Sequence, residues 1–324
     1  MASSTNMEEM LLCSSSNDTE LCSRSTMSTA YVWFNAVSIL LNVINLCVLS
    51  TVNKSKKTPY YWIIINIGIS DIAASLSYIL MINCSLNYVI VNLPLAHARG
   101  LQIVFFTFGL TTATVRNSVL ALGSYERYAS ICHALEIDSN KIINNLGLCI
   151  LAIWIGCLGL MAASVTTNTA GYCFGEFGSL PPSPNIQTTV VFGVSISVTS
   201  FICTICLYKV LKELNKMQNR HTVTKDDGTI KRSAQYILLI CLLFYISYVP
   251  TFVAVILDVV GSISSAVISA TRWAAIIVQS LYGALNSLLY VYMTPGYRLH
   301  IKNLFTKSQT LAKVTPDKRS AATA

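Results

Sequence analysis

The chain has 324 residues, of which 53% are hydrophobic and only 11% are charged. A soluble domain carries roughly 25% charged residues, so this composition excludes an ordinary cytosolic protein. The same hydrophobicity excludes an intrinsically disordered chain, which needs few apolar and many charged residues. The composition predicts an all-α, polytopic membrane protein.

Seven mostly uncharged stretches follow one another along the chain, each long enough to cross a bilayer as a helix of about 20 residues. They predict a seven-helix transmembrane domain over residues 31–293, between an N-terminal segment (1–30) and a C-terminal tail (294–324). In the tail, YRLHIKNLF (297–305) predicts a short amphipathic eighth helix at the inner membrane surface. The predicted spans cover residues 31–52, 60–82, 101–124, 142–166, 186–208, 234–258 and 267–293.

Basic residues predict the orientation of the bundle. With the N-terminus outside, 18 of the 22 Lys and Arg residues fall in inner segments and 3 in outer segments, and Arg116 lies within a span. Inner loops of membrane proteins carry an excess of Lys and Arg. We therefore expect the protein to lie in the plasma membrane with its N-terminus on the extracellular side. The net charge of +8 then indicates contact with acidic lipid or protein partners. Nucleic-acid binding is not expected, because no soluble basic face is visible.

The outer segments carry two kinds of modification signal. Asn17 and Asn83 begin Asn-x-Ser/Thr sequons, which predict glycosylation. Four cysteines also face the oxidising exterior, and four cysteines allow three pairings that sequence alone does not distinguish. They are Cys13, Cys22, Cys84 and Cys173.

Enzymatic and transport functions find little support in the sequence. It contains no H-E-x-x-H, G-x-S-x-G or P-loop motif. Its four histidines are scattered over loops and tail, so we expect no metal site and no cofactor. A channel or transporter is the remote alternative. It would require several ionisable residues along one path, or two repeated halves of the sequence.

A few polar residues lie deep in the predicted spans. A charge there costs roughly 2.5–3.5 kcal/mol on insertion scales, so Asp71 and Arg116 are expected to face the interior of the bundle. Asp71 could share one polar pocket with Asn45 and Asn286. Alternatively, each of these residues could simply bond a neighbouring helix.

Seven short motifs, one per span, occur in a fixed order. By these motifs the chain resembles the rhodopsin-like (class A) G-protein-coupled receptors over nearly its whole length. Two segments, SYERYASICHAL (124–135) and TPYYWIIIN (58–66), are similar to vertebrate odorant receptors, whereas KRSAQY (231–236) lacks their signature. The motifs are Asn45-Leu46-Cys47-Val48, Asn66 to Asp71, Glu126-Arg127-Tyr128, Trp154, Tyr208, Phe244 with Tyr248 and Pro250, and Asn286 to Tyr290.

The resemblance implies a two-state switch at the inner end of the bundle. Arg127 would be held by Glu126 at rest. On activation the sixth helix would swing outward about Pro250, and Arg127 would meet Tyr208 and Tyr290, which opens a cleft for a heterotrimeric G protein. The residues assigned to this switch are Glu126, Arg127, Tyr128, Tyr208, Tyr248, Pro250, Asn286 and Tyr290.

The resemblance also implies that an extracellular ligand binds between the third, fifth, sixth and seventh helices. Gly109 stands where amine receptors carry an aspartate, and the seventh span has no lysine for retinal. An apolar pocket with hydroxyl groups then favours a small, odorant-like molecule. The alternative is a non-sensory receptor for a peptide or a lipid. The pocket residues implied are Gly109, Thr112, Ala113, Tyr248, Thr251 and Phe252.

The chain departs from the family pattern in several places. Ser287 replaces the proline of the seventh helix, Tyr248 replaces the usual tryptophan of the sixth, and Ser200 replaces the fifth-helix proline. Gln102 stands where the family has the cysteine that bridges to the second outer loop. As hypotheses, a Cys84–Cys173 disulfide would be the substitute and Cys13–Cys22 a second pair.

Arg116 is a further departure, since the family usually has a small hydroxyl residue there that helps to bind sodium. Arg116 precedes Arg127 by 11 residues, which places the two about 20° apart around the helix and about 16 Å apart along it. We predict that Arg116 pairs with Asp71 in place of sodium. The alternative is that Arg116 faces a water-filled pocket.

Overall fold

The structure, a computed structural model, describes residues 26–51, 59–82, 95–166, 186–218, 225–260, 265–293 and 301–302. Cys84, Cys173, Asn17, Asn83 and nearly all of the predicted eighth helix lie outside these residues. Regular structure in the described part is helical throughout. The long helices are α1 (Thr26–Ser50), α2 (Pro59–Ile82), α3 (Leu95–Cys132), α4 (Leu146–Thr166), α5 (Ile186–Gln218), α6 (Lys225–Val260) and α7 (Ser265–Met293).

Five of these helices contain stretches that are long and apolar enough to cross a membrane, judged over the described residues: Ala30–Ser50, Pro59–Leu80, Ile103–Cys132, Leu146–Thr166 and Val190–Lys216. The apolar stretch of α6, Leu238–Val253, is shorter. Apolar side chains on α4 and α5 remain exposed, among them Leu148, Ile155 and Phe201. An apolar surface of this kind is suited to lipid rather than to water.

Helix α3 forms the centre of the bundle. More than half of its apolar stretch is buried, against less than a third in α4 and α5. Its buried side chains pack in two directions, with Leu120 in a cluster shared with α5 and α6 and Val119 in a cluster shared with α2 and α4. This central place explains why side chains of α3 can reach several helices at once.

Small residues allow α2 to approach α1 and α3 closely. A β-carbon on Gly123 of α3 would lie 3.0 Å from Ile63 of α2, and one on Gly68 of α2 would lie 3.3 Å from Leu46 of α1. Small residues at helix contacts are a common solution in membranes, where packing rather than water drives association. The Nε1 atom of Trp154 in α4 adds a hydrogen bond to Asn66 Oδ1 of α2 at 3.4 Å.

Two short elements follow α3 on the way to α4. A 3₁₀ turn spans Ala134–Ser139, and a single helical turn spans Lys141–Asn144. Asn140 begins the second element, since its Oδ1 accepts hydrogen bonds from the backbone N–H groups of Ile142 and Ile143 at 3.1 and 3.3 Å. Its Nδ2 donates to the hydroxyl of Tyr125 in α3 at 3.0 Å, which ties this loop to the bundle.

Candidate functional site

A buried ion pair joins α3 to α2 in the middle of the bundle. Arg116 Nη1 donates a hydrogen bond to Asp71 Oδ1 at 3.1 Å. The side chains of Arg116 and Asp71 are only 4% and 1% exposed. Removing one partner of such a pair would leave a buried, uncompensated charge, which costs about 3–5 kcal/mol. The structure thus brings together the two charged residues that the sequence places deepest in the spans.

The same guanidinium reaches α6. Arg116 Nη2 donates to the hydroxyl of Tyr248 at 2.9 Å, and that hydroxyl donates in turn to Asn117 Oδ1 at 2.9 Å. Tyr248 is buried and its ring packs against Phe244, with ring centroids 4.8 Å apart. One tyrosine hydroxyl of α6 is therefore held by two consecutive residues of α3.

Residues of helix α7 also pack against Arg116 and Asp71. The guanidinium carbon of Arg116 lies 4.9 Å from the centroid of the Tyr282 ring. One residue later, a β-carbon on Gly283 would lie 3.1 Å from Asp71 Cγ. Asn286 is buried one turn further along α7. The charged pair and the α7 residues around it form one polar cluster.

A polar stripe runs along the buried face of α1 towards this cluster. Asn42 Nδ2 donates to Ser38 O at 2.9 Å and to Gly283 O of α7 at 3.5 Å. The members recur at intervals of three and four residues, which places them on one side of a helix. The polar stripe consists of Asn35, Ser38, Asn42 and Asn45, all buried.

A second charged contact lies near the C-terminal end of α3. Arg127 Nε lies 2.9 Å from Glu126 Oε2, and Ser130 Oγ donates to Glu126 Oε1 at 3.1 Å. The Arg127 guanidinium carbon also lies 3.9 Å from the centroid of the Tyr60 ring in α2. Glu126 is buried and Arg127 is 19% exposed. The arginine is thus held between its neighbouring carboxylate and an aromatic face.

Tyr128, the third residue of this motif, faces a different set of partners. Its hydroxyl lies 2.9 Å from His133 Nε2 and accepts a hydrogen bond from Lys209 Nζ of α5 at 3.4 Å. Lys209 Nζ also lies 4.9 Å from the centre of the Tyr128 ring. Tyr128 therefore links the C-terminal end of α3 to α5 and does not take part in the Glu126–Arg127 contact.

The remaining switch residues are spread over three helices. Tyr208 lies on the surface of α5 with 65% of its side chain exposed, and Tyr290 belongs to the described backbone of α7 but not to the described side chains. Pro250 lies inside α6. A proline there leaves the carbonyl of Ile246, four residues earlier, without its helical donor, which weakens the helix locally.

The predicted ligand-pocket residues of α3 precede Arg116 by three to seven residues, whereas Tyr248 of α6 contacts Arg116 directly. Thr112 and Ala113 are fully buried, and the Thr112 hydroxyl donates to carbonyls of its own helix at 3.0 Å. Thr251 accepts a hydrogen bond from Gln279 Nε2 of α7 at 2.7 Å. Phe252 is 39% exposed, and Gly109 is buried in α3. Of the six predicted residues, only Phe252 is exposed.

No group of three or more His, Cys, Asp or Glu side chains with the geometry of a metal site occurs within the part of the chain that the structure describes. The buried cysteines Cys203 of α5 and Cys241 of α6 instead surround the hydroxyl of Ser124 in α3, at 3.5 and 3.9 Å.

Sequence reasoning missed several residues of the central cluster. Tyr282 and Gly283 precede Asn286 by four and three residues, so helical periodicity could have placed them on the same face of α7. The polar stripe of α1 could have been read from its three-and-four spacing. No local signal in the sequence indicates that Tyr60 packs on Arg127 or that the Tyr248 hydroxyl reaches Arg116.

Comparison with known proteins identifies the family of the chain. Residues 41–290 match the family described as "7 transmembrane receptor (rhodopsin family)". The chain is also similar to galanin receptor type 1 of Mus musculus, with 24% identity over 212 residues. That match covers 62% of this chain and 59% of the mouse receptor, so the chain spans less than two thirds of its relative. The chain belongs to the rhodopsin family of seven-transmembrane receptors, which are multi-pass membrane proteins.

Proposed function

We propose that this protein is a plasma-membrane receptor, with its N-terminus outside the cell, that converts the binding of an extracellular ligand into activation of a heterotrimeric G protein. The observation that carries the proposal is the Glu126–Arg127 contact of 2.9 Å at the inner end of α3. This contact and the Tyr60 ring, 3.9 Å away, hold the Arg127 guanidinium against the bundle. From there the guanidinium can be released to a partner.

The switch works as a shift between two populations. In the resting state Arg127 is held by Glu126. In the active state the inner half of α6 moves outward about Pro250, and Arg127 turns towards Tyr208 and Tyr290. A ligand can shift this equilibrium only by its difference in affinity for the two states.

Nucleotide exchange on purified Gα tests the proposal directly. The receptor in lipid nanodiscs should accelerate GDP release when its ligand is added, and Arg127→Ala should lose most of that acceleration. Lys212→Ala is the matched control, because it also removes a cation on the inner side but touches neither Glu126 nor Tyr60; it should stay within about twofold of the wild type. Ligand-dependent ion flux in liposomes without GDP release would instead indicate a channel.

For the ligand we propose a small, neutral, odorant-like molecule bound among Gly109, Thr112, Ala113, Tyr248, Thr251 and Phe252. None of these side chains is ionised at neutral pH, and the Thr112 hydroxyl is already satisfied within its helix, so the lining offers apolar contact and a few hydroxyl groups. Such a lining is typical of sites for small molecules of low polarity.

A peptide is the second candidate, and the similarity to a galanin receptor favours it. Screening one panel of odorants and one of peptides, with cyclic AMP and calcium as readouts, separates the two. Thr251→Val keeps the shape of the side chain and removes the hydroxyl that Gln279 contacts. We expect it to change the potency of a small ligand more than tenfold and that of a peptide bound mainly to the outer loops by less than threefold.

The outer surface is proposed to carry glycans at Asn17 and Asn83 and a disulfide between Cys84 and Cys173. Glycosidase treatment should lower the apparent mass of the wild type. The decrease should be smaller for Asn17→Gln and for Asn83→Gln, because each variant lacks one glycan. Peptide mapping without reduction should recover Cys84 and Cys173 in one cross-linked fragment. Recovery of Cys84 as a free thiol would contradict the bridge.

A further inference from the structure

We propose that Arg116 is a positioning residue that holds α6 in its resting place through the hydroxyl of Tyr248. The inference rests on the proposed receptor function and adds to it a chain-specific restraint on the helix that must move. We call the three side chains Asp71, Arg116 and Tyr248 the internal latch.

Arg116 is fixed by a helix other than α6. Its Nη1 is bound to Asp71 Oδ1 of α2 at 3.1 Å, and both side chains are buried. The planar guanidinium presents its donors in a rigid fork. Nη2 is therefore aimed in a fixed direction while Nη1 remains bound to Asp71.

This fixed donor points at α6. Arg116 Nη2 lies 2.9 Å from the Tyr248 hydroxyl, which donates onward to Asn117 Oδ1 at 2.9 Å. The hydroxyl thus accepts from a charged group and donates to an amide, and both partners belong to α3. Hydrogen bonds with an ionised partner are roughly twice as strong as those between neutral groups.

Tyr248 lies close to Pro250 in α6. It precedes Pro250 by two residues, so it lies within the turn from Ile246 to Pro250, the point where the proline weakens the helix. If the inner half of α6 rotates outward about this point, the Tyr248 hydroxyl moves away from α3. N–H···O hydrogen bonds span only about 2.7–3.2 Å, so even a small displacement breaks the contacts.

The guanidinium does not follow α6, because following would separate it from Asp71. Leaving either charge unpaired in the buried centre is far more costly than losing one hydrogen bond. Opening therefore breaks the Tyr248 contacts and keeps the Arg116–Asp71 pair. The internal latch favours the resting state by the strength of the Tyr248 contacts.

Tyr248→Phe tests this directly, because it removes one oxygen atom and leaves the ion pair intact. We expect GDP release from Gα by the ligand-free receptor to rise about tenfold, which corresponds to about 1.4 kcal/mol. Tyr245→Phe is the matched control: the same substitution three residues away removes a hydroxyl that donates to Ser200 O of α5 at 2.9 Å. It should change basal release less than twofold, and an equal rise in both variants would overturn the proposal.

A second set of variants separates the latch from general loosening of the core. Asp71→Asn with Arg116→Met removes both charges together, so no unpaired charge is left behind. We expect this double variant to raise basal release as much as Tyr248→Phe, and the triple variant to add nothing further. Additive effects would show that Tyr248 and Arg116 act separately, which contradicts the latch.

Hydrogen exchange of the inner half of α6 provides a readout without G protein. Tyr248→Phe should speed exchange in this segment and leave exchange in α4 unchanged. If no Gα responds to any variant while exchange still rises, the proposed coupling fails and the latch stands. If the wild type activates Gα on ligand addition but Tyr248→Phe alters neither basal release nor exchange, the latch fails and the receptor function stands.

Discussion

Gly283 of α7 faces Asp71 of α2 so closely that a β-carbon on the glycine would lie 3.1 Å from Asp71 Cγ. The same β-carbon would lie 3.0 Å from Ser38 Oγ of α1. The absence of a side chain at this one position therefore lets three helices meet at the buried carboxylate. Since that carboxylate also holds Arg116, the glycine determines how the whole polar cluster packs.

Replacing Gly283 by alanine should destabilise the receptor. The added methyl group forces Asp71 and Ser38, both buried, to give way by a few tenths of an ångström, and overpacking of this kind typically costs about 1–3 kcal/mol. Thermal unfolding of the purified protein in detergent should show a lower midpoint. Gly159→Ala in α4 is the matched control, because nothing lies within 4 Å of its position and alanine favours a helix by about 1 kcal/mol. A midpoint that rises equally in both variants would contradict the close packing.

Sodium should have no specific effect on this receptor. The Arg116 guanidinium lies 3.1 Å from the carboxylate that would otherwise attract a cation, and its own charge repels one. Replacing sodium by a large organic cation at constant ionic strength should leave the unfolding midpoint of the wild type unchanged. Arg116→Ser should gain a sodium-dependent rise, since binding to the folded state alone stabilises it. A wild type whose midpoint or agonist affinity depends on sodium would contradict the substitution of sodium by Arg116.

Neutralising Glu126 should raise basal activity. Glu126→Gln keeps the size of the side chain but removes the charge that faces Arg127 Nε at 2.9 Å. We expect ligand-free GDP release to rise about three- to tenfold. Ser130→Ala removes only the hydroxyl that donates to Glu126 Oε1 at 3.1 Å, so its effect should be smaller than that of Glu126→Gln. Equal effects would mean that the charge of Glu126 does not restrain Arg127.

The turn at Asn140 should depend on an oxygen acceptor at that position. Asn140→Ala removes the acceptor for the N–H groups of Ile142 and Ile143, and losing such a cap costs about 1 kcal/mol. Hydrogen exchange at these two amides should become faster. Asn140→Asp keeps the acceptor and can accept from the Tyr125 hydroxyl, so protection should persist. Faster exchange in both variants would show that the amide group itself is needed.

The membrane character of the chain and its helices follow from sequence alone. Long apolar stretches have one stable conformation in lipid, because only a helix satisfies every backbone donor and acceptor within its own segment. Deeply placed charges are also visible, since they are rare and costly in this setting. Asp71 and Arg116 could therefore be singled out as partners before any contact between them was known.

The contacts of Arg116 beyond Asp71 were decided by tertiary packing. Helical periodicity gives the face on which a residue lies, but not the rotation and tilt of the helix that packs opposite. For this reason the sequence assigns Tyr248 to a switch and a pocket, while only the structure shows its hydroxyl between Arg116 and Asn117. Two other contacts are of the same kind, that of Tyr60 with Arg127 and that of Gly283 with Asp71. Each joins residues that are distant in the sequence, and no local sequence pattern indicates the pairing.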